Sequence, residues 1–421
     1  MVYGLILAGG IGSRMGGERP KQFLPLGEKP VLLHTLEAFE DCPLVDGYYL
    51  VCHPEHLEET RALIPAEGCP KLRRMVPGGA TRQASCHRGL AAMLEECDSQ
   101  DVVLVHDAAR PLVTGETLIR CARTAETCGA ANTVYPSENT MLLSQDGLYA
   151  QQQPPRKDCY TVQTPQGFRL GELFEAHKAY AAQDAPPEVT DDCGLYAAMT
   201  GHQPRLCLGN KENIKITTPL DLALGQAILQ HRKHTPVLTT ARMRLFRLTM
   251  EDVEAVKPIL SDEKTMYAWE HGFSHQEVVA FIKECLLRYG NHGYAYLKAV
   301  EKSTGEIIGL IGPLVETIHG EDHVGLGYIL RRDRWGMGYA AEGARACLDY
   351  AFTTLHAEEV IAEIRPENTA SRRVSEALGL READSFIKRY KGKEMLHLIY
   401  TISRKDWEKE RDFHGEIPMR P

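Results

Sequence analysis

The sequence predicts two consecutive α/β domains, of which the first has a mainly parallel sheet and the second a mixed sheet. Apolar strand-like runs alternate with helical patterns over residues 1–232, as expected for a parallel sheet with helices on both faces. A polar, charged stretch at 233–241 contains a proline and loses this periodicity, so it predicts a linker. Strand and helix patterns resume over 242–410, where short turns separate some of the strands.

The elements of the first domain follow from the spacing of its apolar residues. This spacing predicts strands at 2–7, 48–52 and 101–106 and helices at 31–39, 81–96, 114–127 and 220–229. In sheets of this kind, ligands bind beyond the carboxyl ends of the strands. The loops that follow Leu7 and His106 are therefore the first places to look for a site.

The elements of the second domain are predicted in the same way. Helices are expected at 249–260, 276–289 and 340–353, and strands at 294–300, 307–311 and 324–330. The strand at 324–330 runs into a glycine-rich turn that opens the helix at 340–353, which makes this turn a second candidate site.

Composition excludes several classes of protein. Hydrophobic residues make up 43% of the 421 residues and charged residues 25%, so extensive disorder is excluded. The net charge of −9 argues against a nucleic-acid partner, and no apolar run reaches the ~20 residues of a membrane span. The start of the chain has no cationic segment of a secretory signal, so we expect a cytoplasmic protein whose twelve cysteines are reduced thiols.

A glycine-rich turn after the first strand predicts a phosphate site. The run Leu7-Ala-Gly-Gly-Ile-Gly-Ser-Arg-Met-Gly16 lets backbone N–H groups approach phosphate oxygens, although it lacks the ending of a Walker loop. Arg14 and Lys21 add two cations, which suits phosphoryl or nucleotidyl transfer because that chemistry depends on positioning and charge neutralisation. The alternative is a tight turn with two surface cations.

Other candidate residues lie at strand ends and in loops. Asp107 ends a buried strand, where a carboxylate can hold Mg²⁺ or can instead pair with Arg110 as part of the fold. The glycine turn Pro77-Gly-Gly-Ala-Thr-Arg-Gln-Ala-Ser85 suits recognition of a base or ribose, or is an ordinary capped turn. A phosphorylated polyol needs cations and hydroxyls of the kind found at Thr140, Arg156, Thr164, Thr190 and Lys215.

Residues 1–232 as a whole resemble the cytidylyltransferases that act on methylerythritol 4-phosphate and on ribitol 5-phosphate. The motifs that carry the resemblance occur in order along the block. They are Ala8-Gly-Gly-Ile-Gly-Ser-Arg-Met, Pro20-Lys-Gln-Phe, Gly78-Gly-Ala-Thr-Arg, Val105-His-Asp-Ala-Ala-Arg-Pro, Gln163-Thr-Pro-Gln, Thr190-Asp-Asp and Asn213-Ile-Lys-Ile-Thr. The resemblance implies a Rossmann-like nucleotidyltransferase domain.

The resemblance also implies a role for each candidate. Polyol phosphate would attack the α-phosphorus of CTP directly, with Mg²⁺ present and no protein nucleophile. The implied groups are Ala8, Gly9 and Gly10 for the triphosphate; Arg14, Lys21 and Lys215 for catalysis; Gly79, Ser85 and Ala108 for cytosine and ribose; Asp107 for Mg²⁺ or polyol hydroxyls; and Thr140, Arg156, Thr164 and Thr190 for the substrate phosphate.

Two features of the resemblance concern the acceptor and the assembly. The opening motif and Arg156 favour the ribitol branch, whereas Asp107-Ala-Ala-Arg-Pro and Thr190-Asp-Asp favour the methylerythritol branch, which is the preferred interpretation. Ala80 and Asn139 replace acidic residues found in some members. Family members form homodimers by exchanging an arm, here about 133–157, which would bring Arg156 to the neighbouring site.

The second domain, over about 242–407, resembles the GNAT acetyltransferases, in particular the branch that acetylates ribosomal proteins. Trp335-Gly-Met-Gly-Tyr-Ala and Asn368 with Ser371 carry the likeness. It implies a GNAT-like mixed α/β fold in which the turn binds the pyrophosphate of acetyl-coenzyme A and Asn368 positions the pantetheine arm. The implied coenzyme-binding residues are Trp335, Gly336, Met337, Gly338, Tyr339, Ala340 and Asn368.

The second domain departs from its relatives at the expected base. Many relatives have a glutamate two residues before the Gly-Tyr of the preceding strand, where this chain has Gly325, and Glu270 or His323 are the substitutes considered. Asp333 occupies a motif position where Gln or Arg is common. The domain is therefore either an acyltransferase or a coenzyme-binding module without turnover. An inactive first domain is disfavoured, because Arg14, Lys21, Asp107 and Lys215 are all present.

Overall fold

The chain folds into two compact units, Met1–Lys233 and His234–Pro421. The computed structural model describes residues 1–10, 20–65 and 68–414. The stretch expected as a linker at 233–241 contains regular structure, since a helix that begins at Pro219 continues through the polar residues to His234. It ends there because Thr235 precedes Pro236, and a residue before proline disfavours the helical conformation. A short strand, Leu238–Thr239, follows.

The first unit is built around a seven-stranded sheet with the order β5-β4-β1-β6-β8-β7-β9. β8 runs antiparallel to both of its neighbours, and the other paired strands are parallel. A two-stranded ribbon of β2 and β3 accompanies it. The strands are β1 (Val2–Ala8), β2 (Pro25–Leu26), β3 (Lys29–Pro30), β4 (Gly47–Cys52), β5 (Leu72–Pro77), β6 (Val102–Asp107), β7 (Ala130–Pro136), β8 (Tyr160–Arg169) and β9 (Arg205–Leu208).

Helices cover both faces of this sheet. They are α1 (Val31–Asp41), α2 (Leu57–Leu63), α3 (Arg82–Leu94), α4 (Gly115–Cys128), α5 (Leu170–Ala181), α6 (Asp192–Thr200) and α7 (Pro219–His234). On one face, Leu90 and Met93 of α3 pack in a buried cluster with Leu5 of β1 and Val51 of β4. On the other face, Phe39 of α1 lies edge-on to Tyr48 of β4.

The second unit is a mixed sheet with the order β10-β11-β12-β13-β14-β15-β17-β16. Its strands are β10 (Leu238–Thr239), β11 (Met243–Arg247), β12 (Leu297–Glu301), β13 (Ile307–Ile318), β14 (Glu321–Leu330), β15 (Glu359–Ile364), β16 (Arg381–Tyr390) and β17 (Lys393–Ser403). Its helices are α8 (Val253–Leu260), α9 (His275–His292), α10 (Tyr339–Thr353), α11 (Thr369–Ala377) and α12 (Arg404–His414).

The sheet of the second unit opens between β14 and β15. These two strands are parallel, whereas the other paired strands of this sheet are antiparallel. Within the described residues, β14 and β15 are paired only where Gly325 faces Ile361. The carboxyl halves of the two strands are therefore not paired with each other, and both halves lead into the loops that carry the second candidate site.

The predicted fold class is confirmed in both units. The predicted elements lie within about four residues of their predicted ends, except that the strand predicted at 307–311 continues to Ile318 and the helix predicted at 220–229 continues to His234. In the described part of the chain, we find no helix with the length and apolarity required to cross a membrane. All twelve cysteines are unpaired thiols, and Cys128 is the exposed one among them.

Gly89 sets the distance between α3 and the sheet, which gives a stability prediction. A Cβ at this position would lie 2.8 Å from Cγ2 of Val51 and closer still to Leu5. Gly89→Ala should therefore lower the free energy of unfolding of the first unit by about 1–3 kcal/mol. Gly115→Ala at the start of α4 meets no atom within 4 Å and should change it by less than about 0.5 kcal/mol.

Urea denaturation can follow the unfolding of each unit separately, because all three tryptophans lie in the second unit. They are Trp269, Trp335 and Trp407. The Gly89→Ala shift should appear in far-UV circular dichroism and leave the tryptophan fluorescence midpoint unchanged. Equal midpoints for the Gly89 and Gly115 variants would contradict the close packing of α3.

Candidate active sites

The first candidate site lies at the carboxyl ends of β1 and β6, as the loop positions predicted. Ala8 ends β1 and is followed by Gly9 and Gly10, and Asp107 ends the neighbouring strand β6. Arg14, which was expected to act in catalysis, lies outside the described residues. The site can therefore be built from Asp107 outward.

Asp107 is a nearly buried carboxylate surrounded by cations from three parts of the chain. Its Oδ2 lies 2.8 Å from Nζ of Lys215 and 3.6 Å from Nε of Arg110, and its Oδ1 lies 3.9 Å from Nε of Arg82. Burial alone would raise the pKa of Asp107, but Lys215, Arg82 and Arg110 outweigh burial and lower it to about 2. Asp107 is thus ionised at neutral pH.

These cations also bear on the expectation that Asp107 binds Mg²⁺. Three positive groups within 4 Å already neutralise one negative charge. A divalent cation on the same carboxylate would meet their repulsion and would have to displace Lys215. The described residues around Asp107 therefore do not fit a magnesium site. They fit a carboxylate that holds Lys215 in place.

Arg82 links Asp107 to a second buried carboxylate that sequence reasoning did not select. Its NH1 lies 2.8 Å from Oδ2 of Asp192, as an ion pair rather than an aligned hydrogen bond. Nε2 of His177 lies 2.9 Å from the other oxygen of Asp192. Burial opposes ionisation, but Arg82 and His177 outweigh it and lower the pKa of Asp192. The available signal was that Arg82 and Asp192 both occur within the recognised motifs.

Thr164 occupies a different place from the one predicted. It was expected to bind the substrate phosphate, but it is buried beneath the site on β8. Its Oγ1 accepts the N–H of Asp107 at 3.1 Å and lies 2.9 Å from Nδ1 of His106. Nε2 of His106 lies 3.2 Å from the carbonyl oxygen of Arg110, which can only accept, so Nε2 carries the proton.

The protonation state of His106 determines the direction of the hydrogen bonds around Thr164. Burial lowers the pKa of His106 to about 4, so the ring is neutral at pH 7 and Nδ1 accepts. The hydroxyl of Thr164 therefore donates its single proton to Nδ1 of His106 and accepts the backbone N–H of Asp107. Thr164 supports the backbone under Asp107 rather than presenting a free donor to a ligand.

The second glycine turn lies beside the first. The backbone N–H of Gly79 donates to Oγ of Ser85 at 3.0 Å, and the same Oγ would lie 3.6 Å from a Cβ built on Gly9. A Cβ on Gly79 would lie 2.6 Å from Cβ of Ala84, so the turn needs glycine there. Ala108 is buried next to Asp107, and its carbonyl oxygen accepts from the hydroxyl of Thr35.

Two lysines approach the site together. Nζ of Lys21 donates to the carbonyl oxygen of Ile216 at 2.8 Å, and Ile216 directly follows Lys215. Both lysine side chains are thus held beside the segment that enters α7, although the residues are far apart in sequence. The catalytic roles of the two lysines stay predictions, but their placement creates the cationic surface that an anionic substrate requires.

The structure does not bring Thr140, Arg156 and Thr190 to Asp107. All three are exposed, and Thr140 and Arg156 lie on the excursion 137–159 between β7 and β8. Thr190 precedes Asp191, whose side chain caps α6 by accepting the N–H of Gly194. In the described part of the chain, no hydrogen bond or ion pair connects these three side chains to the first site.

The second candidate site is the turn between β14 and α10. Gly336 and Gly338 adopt positive φ angles of 71° and 82°, which favour glycine, and Gly338 caps α10. Trp335 donates its Nε1 proton to the carbonyl oxygen of Leu330 at 2.7 Å, while its ring and Met337 are partly exposed. The first amide groups of α10 have no partners within the helix and are the kind of group that binds an anion, and binding of the coenzyme pyrophosphate here stays a prediction.

Arg242 and Glu342 fix this turn, and sequence reasoning did not select them. NH1 of Arg242 donates to the carbonyl oxygen of Met337 at 2.9 Å, and its Nε pairs with Glu342 at 2.6 Å. The guanidinium also lies 4.1 Å from the ring centre of Tyr339. Arg242 directly precedes β11, and it can support a turn about 100 positions later only because the fold places the two segments together.

Asn368 is linked to the turn through one aromatic residue, and its contact with the pantetheine arm stays a prediction. Tyr267 connects them, because its hydroxyl donates to Oδ1 of Asn368 at 2.5 Å and its ring lies edge-on to Trp335, with centres 6.1 Å apart. Oδ1 of Asn368 also accepts the N–H of Ser371 and caps α11. Tyr267 itself was not predicted, since no motif marks it.

The two substitutes considered for the base lie in different environments. Glu270 pairs with Lys393 at 2.5 Å and with Arg365 at 3.4 Å, and these partners, Lys393 foremost, lower its pKa. Such a carboxylate is a poor proton acceptor, so the structure does not support Glu270 as a base. His323 lies on β14 directly opposite Glu316 of β13.

Comparison with known proteins confirms both resemblances. The model of the 2-C-methyl-D-erythritol 4-phosphate cytidylyltransferase family matches residues 2–231, and that of an acetyltransferase (GNAT) domain matches residues 242–381. A 2-C-methyl-D-erythritol 4-phosphate cytidylyltransferase from Geobacter metallireducens is 38% identical over 232 residues, covering 55% of this chain and 98% of the relative. A ribitol-5-phosphate cytidylyltransferase from Vibrio parahaemolyticus is 35% identical over 238 residues, covering 56% and 99%.

A solved structure is also similar to the second unit. The crystal structure of a GNAT-family acetyltransferase from Bacillus anthracis is 25% identical, with a TM-score of 0.35, and covers 40% of this chain and 98% of that chain.

The hydroxyl of Thr164 gives a prediction for the first site. Thr164→Val keeps the shape but leaves the N–H of Asp107 and Nδ1 of His106 without a partner, so the first unit should lose about 1–3 kcal/mol of stability. Thr164→Ser keeps the hydroxyl and should lose less. Circular dichroism during urea denaturation measures the stability of both variants. A valine variant as stable as the serine variant would contradict the hydrogen bonds of Thr164 with Asp107 and His106.

Proposed function

Because this chain belongs to the 2-C-methyl-D-erythritol 4-phosphate cytidylyltransferase family, we propose that its first unit transfers CMP from CTP to a polyol phosphate and releases pyrophosphate. The observation that carries this proposal is the cationic cluster of Lys21, Lys215 and Arg82 at the carboxyl ends of β1 and β6. The preferred acceptor is 2-C-methyl-D-erythritol 4-phosphate, which belongs to isoprenoid precursor synthesis.

The reaction requires neutralisation of charge rather than a protein nucleophile. An oxygen of the acceptor phosphate attacks the α-phosphorus of CTP, and the bond from that phosphorus to the bridging oxygen of pyrophosphate breaks. Lys21 and Lys215, together with Arg14, stabilise the negative charge that grows on the α-phosphate oxygens. Asp107 keeps Lys215 in position by their ion pair at 2.8 Å.

The nucleotide and the acceptor occupy different parts of this surface. The backbone groups of Ala8, Gly9 and Gly10 bind the triphosphate, and Gly79, Ser85 and Ala108 bind cytosine and ribose. Ribitol 5-phosphate is the second candidate acceptor, because the relative from Vibrio parahaemolyticus that carries this name is 35% identical along nearly its whole length.

The second unit binds acetyl-coenzyme A in this proposal. The turn Trp335–Ala340 takes the pyrophosphate at the start of α10, and Asn368 contacts the pantetheine arm. The capped helix and the bracing of the turn by Arg242 support the assignment. Acetyl transfer to an amine is the proposed activity, and a coenzyme-binding module without turnover is its alternative.

The proposed partner of the chain is a second copy. The excursion 137–159 exposes large apolar side chains that make no core contact, and a monomer rarely exposes such a group in one place. They are Met141, Leu142, Leu143, Leu148 and Tyr149, with exposed fractions from 45% to 79%. Exchange of this arm would deliver Thr140 and Arg156 to the site of the partner.

Replacement of Lys21 tests the proposed chemistry. Lys21→Ala should lower kcat for pyrophosphate release from CTP by about 10²–10³-fold, because one group that stabilises the transition-state charge is lost. Lys29→Ala removes a surface lysine that pairs with Glu37 and should leave the rate unchanged. Near wild-type turnover of the Lys21 variant would rule out the assignment.

The same assay, run with each of the two acceptors in the presence of Mg²⁺, identifies the preferred acceptor. The kcat/KM for 2-C-methyl-D-erythritol 4-phosphate should exceed that for ribitol 5-phosphate. The reverse ratio would establish the second candidate.

Charged substitutions in the excursion 137–159 test whether the chain forms the proposed dimer. The double substitution Leu142→Glu and Leu148→Glu should halve the mass measured by light scattering, since the charges would be buried in the interface. Activity should fall with it if Arg156 acts on the partner. Leu220→Glu adds a charge at an equally exposed leucine outside the arm and should change neither quantity. A monomeric wild type would contradict the proposed dimer.

A further inference from the structure

Two carboxylates lie together on one face of the second unit's sheet, on the strands on either side of β14. Glu316 is on β13 and Glu363 is on β15, and Gly325 of β14 lies between them. A Cβ built on Gly325 would lie 2.5 Å from Cγ of Glu316. The side chain of Glu316 therefore fills the space that a side chain at position 325 would need.

In the described part of the chain, both carboxylates form their ion pairs with the same lysine, while the charge of Arg288 also acts on Glu316. Nζ of Lys388 lies 2.5 Å from Oε2 of Glu363 and 3.6 Å from Glu316. The side chain of Glu363 is only 5% exposed, and its Oε1 is buried without a hydrogen-bond donor from the described residues. A buried acceptor of this kind requires a donor, which is either a proton shared with Glu316 or an N–H of a ligand.

Burial and the nearby charge of Glu363 raise the pKa of Glu316 to about 7. Glu316 can therefore exchange a proton near neutral pH. The other titratable groups that face the pair, besides Lys388, come from each packed element: Arg288 of α9, Tyr296 before β12, His323 of β14 and His397 of β17. Burial lowers the pKa of His397, so it adds no charge at neutral pH.

The pair also lies at the start of the opening in the sheet. β14 and β15 are paired at Gly325 and Ile361, and Glu363 is two residues further along β15. From there β14 leads to the turn at Trp335, and β15 leads to Asn368. The two carboxylates therefore lie near the closed end of this opening, and the coenzyme turn lies at its other end.

We propose that Glu316 and Glu363 form the acceptor site of the second unit, which takes a cationic primary amine. Oε1 of Glu363 accepts an N–H of the amine, and Glu316 takes the proton that the amine loses. The inference rests on the acetyl transfer proposed above. It assigns the base to β13, in the volume left free by Gly325.

The step is balanced without any further reactant. The amine nitrogen attacks the thioester carbonyl carbon, and a C–N bond forms as the C–S bond breaks. Before the attack, the cationic amine gives one proton to Glu316, which later releases it to solvent. After the attack, the nitrogen loses its second proton to the departing thiolate of the coenzyme, which becomes the free thiol. Acetylated amine and coenzyme A are the products.

The test uses the full chain, labelled acetyl-coenzyme A and three amine probes. The probes are spermidine, a peptide with a free N-terminus and a blocked peptide with one lysine. Glu316→Gln should lower kcat by at least about 10²-fold with the KM for acetyl-coenzyme A unchanged, and should remove the rise of kcat/KM with pH near 7. Glu363→Gln should raise the KM for the amine about 10-fold, because it loses a charge-assisted hydrogen bond. Glu359→Gln, an exposed residue of the same strand, is the matched control.

Calorimetry of amine binding separates failure of this inference from failure of acetyl transfer. Wild-type rates and an unchanged pH profile in Glu316→Gln would overturn the inference while acetyl transfer stands. Amine binding that depends on Glu363 without any transfer would support the acceptor site and overturn the transferase activity. A wild type that neither binds nor acetylates any probe would overturn both.

Discussion

The charge of Asp107 is the constraint on which the first site depends. A buried carboxylate without partners would be strongly destabilising, and here it is compensated by cations from α3, from its own turn and from the segment before α7. Each of these cations comes from a different element. The order of the strands therefore has to be correct before the charge is compensated, and the fold and the site are stabilised by the same interaction.

The second unit uses the opposite balance. At Glu316 and Glu363, two carboxylates share a single cation in direct contact, Lys388, although the charge of Arg288 also acts on Glu316. An excess of cations suits a substrate that brings phosphates, and an excess of carboxylates suits one that brings an ammonium group. The two units thus differ in the charge that they leave uncompensated, which net charge alone cannot reveal.

The sequence predicts the regular α/β elements well because their apolar periodicity reflects burial directly. Several elements are missing from the prediction, among them β5, α5, α6 and β8; in β8 the run Gln163-Thr-Pro-Gln-Gly contains a proline, which is unusual in a central strand. The site residues within glycine motifs were likewise predictable. Arg242, Tyr267 and Glu316 were not, because their partners are about 100 residues away or on a neighbouring strand, and only the tertiary fold places them together.

β8 also determines where the excursion 137–159 leaves and rejoins the sheet. β7 ends at Pro136 and β8 begins at Tyr160, directly opposite it, at the same edge where β1 and β6 end. A loop with both ends fixed in this way can change length at a small cost in closure entropy. The segment can therefore accept insertions and deletions while the strands on both sides of it keep their pairing.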